Sequence, residues 1–331
     1  SMVHDHVWGE LRHWHALPNV EMVAAADPNK PLRDKVQAEY GVQKLYDSWQ
    51  EMLEREDLHL LQVAATNADT AEIVEAAAVK GIHVISEKPM AARLSQADRM
   101  LAASRKHNTL LMINWPNGWS PDLLTMLRMI KDGAIGQPVY FKYRAAHNGP
   151  KEIGCSPYFY EWLYDEEKNG AGALMDYCCY SSNMNSYLFG LPKEVQGVRA
   201  VLAKDYPLPD DNAMIIMKYE KSFGVAEASW TQPVSYPSPN PICHGTGGCL
   251  YLWHGGLWIQ TPKDAEARKV EPDTQPEYLV NGPRYLIHCL ENNNPIEGLC
   301  SPEVSRNAQE ILEAGLISAD TGRTVKLPIE G

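Results

Sequence analysis

Through roughly its first third the chain alternates short apolar runs with amphipathic helical stretches, and this alternation leaves few folds open. Residues 20–26 (VEMVAAA), 58–65 (LHLLQVAA), 82–86 (IHVIS) and 110–113 (LLMI) each read as a buried strand. The first three stop at polar or proline-containing groups: Asp27-Pro28, Thr66-Asn67 and Glu87-Lys88-Pro89. Helix signals fill the gaps. Asp69 with Glu72 reads as a capping pair, Gly81 as that helix's stop, and Ser95 with Asp98 as the next start. Strands joined in this way pair in parallel through right-handed crossovers, so an α/β class is expected.

The pattern changes near Asn114. Ser120-Pro121-Asp122 opens a helix that ends at Lys131-Asp132-Gly133. Beyond Pro138 the chain favours β structure, over residues 139–144, 194–202, 213–219 and 224–230, with a hairpin over 248–260 around Gly255-Gly256. These runs predict an antiparallel sheet covered on one face. A last helix is expected from Ser301-Pro302-Glu303 to about Gly322. Two domains follow, residues 1–115 and 116–331, a division that suits a chain of 331 residues.

A net charge of −12 argues against nucleic acid or an anionic membrane as partner. No apolar run approaches the roughly 18 residues of a membrane span, and the opening residues read as no signal peptide. Seven cysteines, all from Cys155 to Cys300 and without regular spacing, point to a reducing cytoplasm. The run CHGTGGC from Cys243 to Cys249 lacks both a CxxC pair and a second ligand cluster, so no metal is expected.

Two strand ends hold residues with chemical potential. Asp27 is placed to accept hydrogen bonds from a ribose 2′-hydroxyl, which favours NAD over NADP; it reads equally as a turn residue before Pro28. Lys88 leaves the carboxyl end of a parallel strand, where open α/β sheets place ligands. Pro89 holds Lys88 out of the helical region, and a partly buried lysine with a lowered pKa can act as general acid or base. The plain alternative is a solvated lysine paired with Glu87. One expected part is missing. A dinucleotide domain opens with a strand and a Gly-x-Gly-x-x-Gly turn, whereas residues 6–17 already read as its first helix, with Gly9 inside it. An N-terminally truncated version of that domain is therefore expected.

The succession ADP (26–28), AATN (64–67) and VISEKP (84–89) resembles the Gfo/Idh/MocA oxidoreductases, which include glucose–fructose oxidoreductase and inositol dehydrogenases. The likeness continues through IKDGAIGQP (130–138), GAGALMD (170–176) and SADTGRTVKLP (318–328), in order along the chain. It implies a Rossmann domain followed by an α/β domain with a large open-faced, mainly antiparallel sheet, often used for homo-oligomerisation. It implies NAD, held by Asp27, Thr66, Asn67, Glu87 and Lys88. The active site is then expected where Lys88 meets a segment of pattern D-x-G-x-[HY]. Here that segment runs from Asp176 to Tyr180, with Cys178 in place of the glycine and a tyrosine in place of the more frequent histidine. Lys88, Asp176 and Tyr180 form the implied catalytic set. On a helix, Asp176 and Tyr180 stand at i and i+4 and share a face, and a nearby Lys88 cation would lower the phenol pKa. His147, Tyr158 and Trp162 are candidates for a sugar-binding wall, with Trp115 and Trp119 nearby; each reads equally as filling of an inter-domain seam.

The leading expectation is an NAD-dependent oxidoreductase acting on a hydroxyl of a sugar, polyol or sugar derivative. A second reading takes the missing glycine turn at face value. In it, Lys88, Asp176 and Tyr180 serve a cofactor-free lyase, aldolase or hydrolase on a sugar-like compound. A third is an inactive sugar-binding relative.

Overall fold

The computed structural model describes residues 1–329. In its first part, helix α1 (Val7–His15) leads to strand β1 (Ala24–Ala26), helix α2 (Lys30–Tyr40), strand β2 (Lys44–Tyr46) and helix α3 (Trp49–Arg55). Strand β3 (Leu60–Val63), helix α4 (Thr70–Val79), strand β4 (His83–Glu87), helix α5 (Leu94–His107) and strand β5 (Leu111–Asn114) follow. All of these strands pair in parallel, as β1-β2 and as β3-β4-β5, and Met2 bridges to Ala64 beside β3. Apolar side chains of β3, β4 and β5 are sealed beneath α4 and α5, with Ile85, Met112 and Ile113 fully buried.

Several local expectations shift. Residues 20–23 lie outside β1, and β2 carries no apolar run in sequence (Lys-Leu-Tyr) yet pairs with it in register. Asp69 does precede α4, but its carboxylate accepts from the Thr66 hydroxyl at 2.6 Å rather than from a helix amide. Helix α5 starts two residues earlier than a Ser95 cap predicts: Arg93 is the N-cap, with Gln96 reaching back to its N–H at 3.0 Å.

The second part contains helix α6 (Pro121–Lys131), strand β6 (Pro138–Ala146), helices α7 (Pro157–Leu163), α8 (Glu166–Asn169) and α9 (Ala173–Phe189), and strands β7 (Glu194–Ala200), β8 (Asn212–Lys218) and β9 (Phe223–Ser229). Strands β10 (Ile242–Gly245), β11 (Gly248–Trp253), β12 (Gly256–Gln260) and β13 (Arg268–Val270), helices α10 (Gly282–Glu291) and α11 (Pro302–Thr321), and strand β14 (Val325–Lys326) complete it. The strands form one nine-stranded sheet in the order β13-β12-β11-β10-β6-β9-β8-β7-β14. Every pairing is antiparallel except β6 with β9. Alternation decides which face is covered: Ala213, Ile215 and Met217 of β8 point into the core, and Ile216 points out. Helices α6, α9 and α11 pack on the covered face. The other face leaves Val198, Ile216 and Phe223 exposed. Among the described residues, no helix is long and apolar enough to cross a membrane.

Candidate active site

Lys88 follows the last residue of β4, the central strand of its three-stranded sheet, and its peptide bond to Pro89 is cis. The side chain is not solvated. It is 1 % exposed, and its ammonium reaches across to α9, 2.7 Å from Asp176 Oδ1 and 3.2 Å from the Asp176 carbonyl.

The start of α9 explains why the carboxylate is there. Gly170 is left-handed at φ 101°, and a Cβ on it would press on the Ala92 carbonyl. A Cβ on Gly172 would collide with the backbone of Asp210. The two glycines let the chain pass between the loop after Lys88 and the Asp210 turn. The Asp210 carboxylate then accepts from the Gly172 and Leu174 N–H groups at 2.9 and 2.7 Å, which caps α9 from another segment. Asp176 lies in the first turn of the helix so fixed. Its second oxygen accepts from Trp230 Nε1 at 3.3 Å.

Tyrosines close over the pair. The Lys88 ammonium stands 4.9 Å from the centre of the Tyr180 ring and 5.9 Å from that of Tyr177. Tyr180 also packs against Trp115 and Tyr143, with ring centres 5.8 and 6.2 Å away. His147, just past β6, sits edge-on to Tyr177 at 4.9 Å and accepts from the Gly149 N–H through Nδ1 at 2.8 Å. That bond places its proton on Nε2.

The electrostatics reverse two expectations. Burial disfavours the Lys88 ammonium, but the Asp176 carboxylate, aided by Tyr180 and Cys179, more than offsets it, so the pKa lies well above the ordinary lysine value. Lys88 is therefore a cation and not a depressed amine. Tyr180 behaves oppositely to the reading in which the lysine lowers its pKa. Lys88 does pull it down, yet burial outweighs that pull and the phenol stays neutral. Burial likewise lowers His147 and pushes Cys179 up to about 12.

The remaining sequence candidates divide into groups. Asp27, at the end of β1, is 1 % exposed; Oδ1 takes the Asn29 backbone and side-chain N–H groups, and Oδ2 accepts from the Met2 N–H at 2.6 Å and the Ser1 hydroxyl at 2.9 Å. Both Asp27 oxygens are thus taken up by the chain itself, Oδ2 by its first two residues and Oδ1 by Asn29. Glu87 holds the Asn114 amide on one oxygen at 3.0 Å and His6 Nδ1 on the other at 2.9 Å. Asn67 is a clamp: its amide donates to Asn169 Oδ1 at 2.8 Å and to the Asn169 carbonyl at 3.1 Å. Thr66 and Asn67 follow β3 as Lys88 follows β4 in the same sheet, whereas Asp27 follows β1 in the separate two-stranded one. Tyr158 and Trp162 face the N-terminal segment instead of the Lys88–Asp176 pair. Tyr158 packs against the cluster of Met2, Val7, Leu32, Val36, Val42 and Ala64, and Trp162 Nε1 donates to the Val3 carbonyl at 3.4 Å. Trp115 is fully buried and donates to Ser305 Oγ at 3.1 Å. Sequence reasoning missed Trp230, Tyr143 and Asp210, none of which sits in a recognisable motif.

The arrangement matches known proteins along most of its length. The model for an oxidoreductase family with an NAD-binding Rossmann fold (GFO/IDH/MocA) matches residues 9–115, and the model for the GFO/IDH/MocA C-terminal domain matches residues 123–251. The chain is 26 % identical to D-apiose dehydrogenase of Paraburkholderia graminis, over 96 % of this chain and 86 % of that protein. It is 22 % identical to scyllo-inositol 2-dehydrogenase (NAD(+)) of Bacillus subtilis, over 86 % and 81 %. The structure of levoglucosan dehydrogenase in complex with NADH and levoglucosan superimposes with a TM-score of 0.81 at 21 % identity, covering 98 % of this chain and 96 % of that one. The chain belongs to the GFO/IDH/MocA oxidoreductase family.

Proposed function

We propose that the protein is an NAD-dependent oxidoreductase acting on a hydroxyl of a sugar, polyol or sugar derivative, with Lys88, Asp176 and Tyr180 at the reacting centre. The observation that carries this reading is the sealed Lys88–Asp176 pair. It places a protonated amine at the carboxyl end of β4, ringed by tyrosines and one imidazole. The names of most of the relatives, D-apiose dehydrogenase and scyllo-inositol 2-dehydrogenase among them, favour it over a cofactor-free acid–base reaction, while one, 2,7-anhydro-N-acetylneuraminate hydratase, names a different reaction.

A ribose diol would reach Asp27 by taking the place of the Ser1 hydroxyl and Met2 N–H on Oδ2, and Thr66, Asn67 and Glu87 stand at the carboxyl ends of β3 and β4. When bound, the nicotinamide supplies or accepts the hydride. The chain's own residues manage the proton. In the reducing direction Lys88 gives a proton from Nζ to the carbonyl oxygen of the substrate, and in the oxidising direction neutral Nζ takes it from the hydroxyl. Asp176 fixes the amine in place and stabilises its cationic form. Tyr180 offers a neutral hydroxyl that orients the reacting oxygen. His147 presents an Nε2–H, and the tyrosine faces give a sugar ring both apolar walls and polar edges. The testing experiment is titration of the full chain with NADH, followed by nicotinamide fluorescence. Saturable binding in the micromolar range supports the reading, and no binding at millimolar cofactor overturns it.

A further inference from the structure

At the head of α1, two histidines that the proposed reaction leaves unused come up to Glu87, which that reading places on the cofactor side. His4 and His6 flank Asp5 just ahead of the helix, and Glu87 projects beside them from the end of β4. Their ligand atoms all lie within 4.8 Å of one another. We propose that His4, His6 and Glu87 form a mononuclear site for a divalent first-row transition ion, of the two-histidine, one-carboxylate type.

Geometry supports each ligand. Metal–nitrogen bonds of about 2.0–2.1 Å in a tetrahedral site hold ligand atoms about 3.3 Å apart, so only modest inward movement is needed. His6 Nδ1 already meets Glu87 Oε2 at 2.9 Å, and a cation would take the place of the proton between them. His4 Nδ1 accepts a long 3.3 Å hydrogen bond from the His6 N–H, and the ring is also hydrogen-bonded to the Lys88 backbone, a bond the ion would replace or leave to the other ring nitrogen.

The surroundings are those of a supported metal site. Asn114 donates to the other Glu87 oxygen at 3.0 Å, an orienting bond of the kind that keeps a carboxylate ligand in position. The His4 ring is 1 % exposed and wedged 4.4 Å from Phe159 and 5.8 Å from Trp162, ring centre to ring centre. Asp5 is turned away, with both oxygens on Ser156 at 2.7 Å. The His6 side chain is 36 % exposed, which gives the ion an entry path and leaves a coordination position for water or a ligand oxygen. Two imidazoles with one carboxylate select zinc, cobalt(II) or iron(II) over magnesium or calcium, which favour all-oxygen sets.

The test uses the chelator-treated full chain. Zinc is measured by equilibrium dialysis and cobalt(II) by its visible absorption, in the parent and in His6→Ala, Glu87→Gln and Asn114→Ala, with His13→Ala on the exposed side of α1 as control. The expected result is one ion per chain at micromolar metal, lost in His6→Ala and Glu87→Gln, weakened at least about tenfold in Asn114→Ala, and unchanged in His13→Ala. Circular dichroism identifies any variant that misfolds, and the near-isosteric Glu87→Gln decides if His6→Ala does so. No stoichiometric binding, or equal binding by the parent and the ligand variants, overturns the proposal. NADH titration of the same metal-free samples separates this outcome from failure of the dehydrogenase reading.

Discussion

Lys88 Nζ and Asp176 Oδ1 lie 2.7 Å apart with side chains only 2 % and 5 % exposed, joining the end of a parallel strand to the first turn of a helix 88 residues later. A buried pair of this kind is costly to split, because the partner left behind keeps its charge without water or a counter-ion. Lys88→Ala is expected to destabilise the protein by about 3–5 kcal/mol and to lower turnover by about 10²–10⁴-fold. Lys88→Met combined with Asp176→Leu should recover most of the stability and none of the activity. Denaturant melts beside turnover check both halves. Full activity in the stable double variant would remove the pair from the chemistry.

The raised Lys88 pKa sets the pH behaviour. Substrate oxidation needs the neutral amine, so its rate should climb with pH and still be climbing at about pH 10, near the ordinary lysine value. Carbonyl reduction needs the ammonium and should show no Lys88-dependent loss across neutral pH. The stability linkage has the matching sign. The folded pKa lies above the unfolded one, so the contribution of Lys88 is complete below about pH 10.4 and fades as pH rises through the folded value. Rate profiles in the two directions test this, and an oxidation rate that levels off near pH 7 would contradict it.

Tyr180→Phe keeps the ring that packs on Trp115 and Tyr143 and removes only the hydroxyl. The expected loss is about tenfold in kcat, the worth of one hydrogen bond of about 1–1.5 kcal/mol, with an unchanged melting temperature. Because the phenol is neutral, no new ionisation should vanish from the pH profile. A loss of several thousandfold would make Tyr180 the proton carrier instead.

Asp27→Ala removes a buried carboxylate from the end of β1. A hydrogen bond to a charged group contributes about 1.5–3 kcal/mol, so NADH affinity should fall about 10–100-fold, with the preference for NADH over NADPH reduced. Fluorescence titration with both cofactors reads this out, and unchanged affinity would place the ribose elsewhere.

Much of this was legible in the sequence because it is periodic or local. The apolar runs of β3, β4 and β5 announce a parallel sheet, and the i, i+4 spacing of Asp176 and Tyr180 puts both beside Lys88. Strands β2 and β13 escaped notice because three residues each, with exposed lysine or arginine, leave no apolar pattern. The lysine pKa went the other way because the sequence pattern points to burial of a residue and not to which carboxylate is buried with it. Trp162 and Tyr158 illustrate the same limit. An aromatic-rich loop suggests a sugar wall, yet Trp162 reaches Val3 and His4 and Tyr158 packs against a cluster that includes Met2, Val7 and Leu32, more than 120 residues away in the chain.

The most direct measurement is nicotinamide reduction by the purified full chain with NAD+ across a panel of aldoses, anhydrosugars and inositols, with Lys88→Ala in parallel. The account predicts stoichiometric NADH formation with at least one member of the panel, rising with pH and lost in the variant. NADH formation that persists in a folded Lys88→Ala protein, or saturable NAD+ binding with no turnover of any polyhydroxylated substrate, would contradict it.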